Sequence, residues 1–110
     1  MNEMGHQKKV MNFIQDHNLD MSFTYRVLDL ISELGEVAKE ICKQSTYGQN
    51  PFQSDQNFIQ ELGDVFFSLC ALANKCSIDL NHALDETLSK YRKRIQSKGH
   101  AGSDILKSTL

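Results

Sequence analysis

The sequence holds one proline and six glycines in 110 residues, too few for a disordered chain or a loop-rich β sandwich. No stretch approaches the roughly 20 apolar residues that a bilayer crossing requires. Residues 1–9 are mixed polar, without the apolar core of a secretory signal, so a cytoplasmic, membrane-free protein is expected. Excess positive charge is also lacking: the formal net charge is −2, and duplex nucleic acid normally selects a basic surface. The cysteines, Cys42, Cys70 and Cys76, are odd in number and form no C-x-x-C pair. They read as reduced, partly buried thiols. A glycine-rich G-x-x-x-x-G-K phosphate cradle is missing, as are the paired Glu-x-x-His motifs of a carboxylate-bridged di-iron bundle.

What is present is an ordinary globular composition, 40% hydrophobic and 24% charged, in a chain of single-domain length. Apolar spacings of three and four residues dominate, which predicts helices. The spacing places them at about 6–17, 23–45, 55–76 and 80–97, with no strands. Val10, Phe13 and Ile14 form the expected inner face of the first. Val27, Ile31, Leu34, Ala38 and Ile41 form that of the second, and Leu80, Ala83, Leu84, Leu88, Tyr91 and Ile95 that of the fourth. Ser22, Ser54 or Asp55, and Asp79 are the expected N-caps. The strongest turn signals lie between Thr46 and Gln53. The third helix carries apolar residues on two sides, Leu62–Phe66–Leu69 and Phe67–Cys70. The second side needs cover, from helix one or four or from another subunit, and a homodimer is expected. Residues 1–98 are expected to form one helical-bundle domain and 99–110 a tail.

One internal echo carries chemistry. Ile31-Ser-Glu-Leu-Gly-Glu-Val37 is matched by Ile59-Gln-Glu-Leu-Gly-Asp-Val65, 28 residues on. At 100° per residue, Glu33, Glu36, Glu40 and Asp29 share one arc of the second helix, while Glu61 and Asp64 share one on the third with Asn57 and Ser68. Packing the two helices antiparallel would gather four or five carboxylates. Each like-charge pair costs on the order of 0.2–0.5 kcal/mol even when exposed. A hard divalent cation would offset that, and Mg2+ suits it because it binds carboxylates while keeping sites for phosphate oxygens. Gly35 and Gly63, inside both acidic motifs, suggest a close approach of backbone or ligand.

Glu33-x-x-Glu36, then Glu61-x-x-Asp64, resembles the E-x-x-E…E-x-x-D signature of the MazG-like all-α nucleoside triphosphate pyrophosphohydrolases, a superfamily that includes the dimeric dUTPases and dCTP pyrophosphatases. The resemblance runs from about residue 22 to 97 and extends to Lys90-Tyr91-x-x-Arg94, which is similar to the basic last helix of small members. It implies a four-helix core, assembly as a dimer or a dimer of dimers, and Mg2+ (with Mn2+ as a substitute) held by Glu33, Glu36, Glu61 and Asp64. It also implies hydrolysis of a (d)NTP between the α and β phosphates. Glu36 is the first choice to activate water and Glu33 the second. Many relatives open the motif with two glutamates where this chain has Ser32, and Glu40 could supply a further oxygen. Lys90, Tyr91 and Arg94 are expected to meet the nucleotide, with Lys39 and Lys43 as further candidates. Phe23, Tyr47 and Phe52 are possible base-stacking residues. The alternative is a helical adaptor that keeps the fold without catalysis.

Overall fold

The computed structural model describes residues 5–102, and residues 103–110 of the expected tail lie outside that range. It contains four helices: α1 (Gly5–Asp16), α2 (Phe23–Gln44), α3 (Gln56–Lys75) and α4 (Leu80–Lys98). Their limits follow local chemistry. Asp55 caps α3 by accepting the Phe58 amide at 3.0 Å, and Asp79 caps α4 by accepting the Asn81 amide at 2.9 Å. Ser22 occupies the N-cap of α2, but its hydroxyl makes no capping bond. Gly99 ends α4 at φ 82°, a left-handed conformation that glycine adopts without a Cβ penalty. The link after α2 turns through positive φ at Thr46, Tyr47 and Gly48. Ser45 braces it, donating to the Ile41 carbonyl (2.8 Å) and accepting the Gly48 amide (3.1 Å).

The α2–α3 pair is the most extensive contact, and α1 packs next on α3. The core joins Val10 and Ile14 of α1 to Cys70 and Ala71 of α3, with Phe67 and Leu80 packed against it. The Phe67–Cys70 side of α3 is therefore covered by α1 of the same chain. It does not call for a second subunit.

Gln7, only 3% exposed, ties the start of α1 to the α3–α4 link. Its Nε2 donates to the Ile78 carbonyl (2.7 Å) and to Asn74 Oδ1 (3.1 Å), and its Oε1 accepts the Leu80 amide (2.7 Å). Asn74 Nδ2 returns a bond to the Gln7 carbonyl at 3.0 Å. The Leu80 amide is one of the orphan donors of the α4 N-terminus, so this side chain acts as a cap from another helix.

Two inner faces differ from the sequence expectation. On α2, Ile31, Leu34 and Ile41 are 60%, 51% and 41% exposed. Val27 keeps its expected place, and the other residues turned inward are Arg26, Asp29, Leu30, Glu33, Val37, Glu40 and Gln44. On α4, Leu84, Leu88, Tyr91 and Ile95 are all exposed, and the helix has no buried residue. The physical reason is the same in both cases. A periodic apolar stripe marks a face that prefers cover, and among the described residues no element packs closely enough on these two to bury them. The radius of gyration is 17.4 Å, against about 13 Å for a compact chain of this length. Nothing lies within 4 Å of a Cβ built at Gly35 or Gly63, so the close approach expected at those glycines is absent within the described residues.

All three thiols are free, Cys70 fully buried and Cys42 and Cys76 exposed. Burial pushes the Cys70 thiol above its ordinary pKa. Under native conditions a maleimide is expected to label two thiols per chain rapidly and the third only on unfolding; mass spectrometry of the tryptic peptides checks which one is spared.

Candidate functional site

Turning the acidic arc of α2 toward α3 is what builds the site. Glu33 of α2 and Glu61 and Asp64 of α3 each offer an oxygen, all within 4.8 Å of one another. Glu33 and Glu61 are half-buried and Asp64 is exposed. Two ligands of one Mg2+, each at about 2.1 Å, cannot lie more than about 4.2 Å apart. The observed spacing therefore needs only a small side-chain adjustment to admit an ion, and the donor set is all oxygen, as a hard cation requires.

Electrostatics agree with the geometry. The Glu33 carboxyl is raised above the usual range, first by burial and then by the negative charges of Asp64, Asp29, Glu61 and Glu36. A positive ion placed here would relieve that repulsion. Glu36 lies outside the group of three but close enough to be felt by Glu33. Glu40 stands apart. It is 7% exposed and accepts a bond from Gln44 Nε2 at 3.2 Å, while the same amide group donates to Asp55 at 2.6 Å. Glu40 thus serves the junction of α2 with the cap of α3, and the structure does not bring it to the other acids.

Asp29 is the acid that the motif leaves out. Its Oδ2 accepts the buried Ser68 hydroxyl at 2.7 Å, which joins α2 to α3 one turn from Glu33. Its place on the acidic arc, four residues before Glu33, was the signal for it. A cavity of about 540 Å3 opens beside these groups, with Asp29, Glu33, Asp64 and Phe67 on one side and the α1–α2 link on the other. Arg26 lines the same cavity. Nothing in the motif pointed to it.

Lys90, Tyr91 and Arg94 do not line this cavity. Lys90 and Arg94 sit over the Tyr91 ring at 5.3 and 5.9 Å, and Arg94 donates to the Ala101 carbonyl at 3.1 Å. Lys39 and Lys43 are exposed on α2. Of the loop aromatics, Phe52 packs edge-on against Phe58 and Tyr47 is 78% exposed. No helix among the described residues is long and apolar enough to cross a membrane.

The chain and its fold are similar to known proteins. The chain is 38% identical over 68 residues to the uncharacterized protein YpjD of Bacillus subtilis (strain 168), a match covering 59% of this chain and 60% of that protein. Its fold superimposes with a TM-score of 0.68 on the crystal structure of the Bacillus-conserved MazG protein, a nucleotide pyrophosphohydrolase. That match is 28% identical and covers 83% of this chain and 89% of the other. The sequence pattern of the MazG nucleotide pyrophosphohydrolase domain matches residues 22–97, the span that holds α2, α3 and nearly all of α4, and the chain belongs to that family.

Proposed function

We propose that the protein is a Mg2+-dependent pyrophosphohydrolase that converts a (d)NTP and water to the (d)NMP and pyrophosphate, acting in the cytoplasm to clear the nucleotide pool. The observation that carries this reading is the convergence of Glu33, Glu61 and Asp64 from two helices beside an open cavity, in a chain of this family. Glu33, Glu61 and Asp64 would hold the ion, with Glu36 at its edge. Bound Mg2+ or Mn2+ would supply charge stabilisation for the attacked and leaving phosphate oxygens. Glu36, exposed and three residues from Glu33, is the carboxylate free to orient a water molecule and take its proton.

We also propose a homo-oligomer, a dimer or a dimer of dimers. Ile31, Leu34, Ile59 and Leu62 are between 49% and 60% exposed beside open space at Gly35 and Gly63. An apolar face of that kind normally meets a partner, and small residues let helices approach closely. In such an assembly α4 is free to carry Lys90, Tyr91 and Arg94 to a nucleotide. The whole-chain activity is tested by measuring pyrophosphate release from a panel of nucleoside triphosphates, including modified bases, with Mg2+ and with chelator. Release of pyrophosphate and monophosphate in equal amounts, only with metal, is the expected result. No turnover of any triphosphate would contradict it.

A further inference from the structure

Arg26 is the charged group that the fold does not account for. Its side chain is 3% exposed. It lies in the first turn of α2, the end of a helix where the backbone dipole disfavours a cation. The one side-chain hydrogen bond it makes among the described residues runs from Nη2 to the Leu19 carbonyl at 2.7 Å. No carboxylate of those residues lies within 4.0 Å of it. The two acids nearest in sequence are engaged elsewhere: Asp20 pairs with Lys75 at 3.1 Å, and Asp29 accepts the Ser68 hydroxyl.

A guanidinium stays charged at any working pH and presents five donors in a planar fork. Burying one without a counter-charge is strongly unfavourable, and holding a single carbonyl needs only a neutral donor. The cavity wall supplies the missing partner's position. Arg26 lines the same 540 Å3 space as Asp20, Asp29, Glu33 and Asp64; with Asp20 on Lys75 and Asp29 on Ser68, the cavity presents acids that suit a cation and one buried fork that suits an anion.

We propose that Arg26 is a phosphate-binding residue of this site, taking a phosphate group of the substrate with its fork of N–H donors. The identity of that substrate as a nucleoside triphosphate rests on the function proposed above; the anion site itself rests on burial and unpaired charge. The test uses the full chain, Arg26→Met and Arg26→Lys, with Mg2+ alone and with inorganic pyrophosphate at saturating Mg2+ as probes in titration calorimetry. Arg26→Met is expected to bind Mg2+ within about twofold of the parent and to weaken pyrophosphate about 10- to 100-fold, the usual loss for charge-assisted bonds. Its melting temperature should equal or exceed that of the parent, because an unpaired buried charge is gone. Arg26→Lys should recover part of the affinity.

Pyrophosphate affinity unchanged in Arg26→Met, or a parent that does not bind pyrophosphate, overturns the proposal. Should Arg26→Met fail to fold, Arg26→Lys decides: loss of the fork with an unchanged melting temperature must still weaken pyrophosphate binding, and equal affinity overturns it. A parent that binds pyrophosphate through Arg26 yet hydrolyses no nucleotide would remove the hydrolase reading and leave this one standing. Triphosphate turnover with an indifferent Arg26 would do the reverse.

Discussion

Glu33→Gln is expected to lower kcat/KM for triphosphate hydrolysis by about 10²–10³-fold and, at the same time, to raise the melting temperature of the metal-free protein. Both effects come from one arrangement. Glu33 lies among Asp64, Asp29, Glu61 and Glu36, and its carboxyl is raised by burial and by those charges. Under the proposed function Glu33 would hold the ion, so exchanging its carboxylate for a neutral amide would weaken that hold, and losses of that order accompany removal of one preorganised electrostatic group. It also removes the repulsion from four neighbouring acids. At 0.2–0.5 kcal/mol each before solvent screening, the relief amounts to about 0.5–1 kcal/mol, or roughly 2–6 °C. Scanning calorimetry at fixed protein concentration checks it.

The pH dependence has a definite sign. A carboxyl raised in the folded state binds protons more readily there than in the unfolded chain, so its penalty is absent below the ordinary carboxylate range and grows as pH rises through the folded value. The stability gap between Glu33→Gln and the parent should therefore close on acidification and be full at neutral pH. Saturating Mg2+ should reverse the order at neutral pH, stabilising the parent and not the variant. A variant no more stable than the parent without metal would show that the acids do not crowd one another.

Gln7→Ala should be the most damaging single change outside the site. The truncation leaves the Ile78 carbonyl, the Leu80 amide and Asn74 Oδ1 without their partner at a junction where Gln7 is 3% exposed, while the bond from Asn74 Nδ2 to the main-chain carbonyl of residue 7 is kept. Unmade bonds of this kind cost about 1–3 kcal/mol each when buried, less where water enters. A net loss of about 2–3 kcal/mol, or about 10–20 °C in melting temperature, is expected. Gln7→Glu separates donor from acceptor. It keeps an oxygen for the Leu80 amide but loses the donor bonds to the Ile78 carbonyl and Asn74 Oδ1, so it should fall below the parent as well. If both variants melt with the parent, the clamp carries no stability.

Much of this architecture is legible in the residues. Apolar spacing of three and four places each helix within one or two residues of its observed limits, and Asp55 and Asp79 announce their helices by cap chemistry. The duplicated acidic motif is legible because helical periodicity alone puts Glu33 on one arc and Glu61 with Asp64 on another. Which face turns inward is not. On α2 the apolar stripe of Ile31 and Leu34 is the more hydrophobic, yet the stripe through Glu33 meets α3. A stripe declares that it prefers cover without declaring what covers it. Gln7 and Arg26 escape notice for a related reason. Their roles depend on partners 71 residues away in one case and on a cavity between elements in the other. Neither leaves a periodic or motif signal.

The claim beneath all of this is that carboxylates from α2 and α3 share one divalent cation. Diffraction from crystals grown with Mn2+ and recorded at its absorption edge tests it directly. An anomalous peak at bonding distance from oxygens of Glu33, Glu61 and Asp64 together is the expected result. A peak elsewhere with these three side chains unliganded would contradict it.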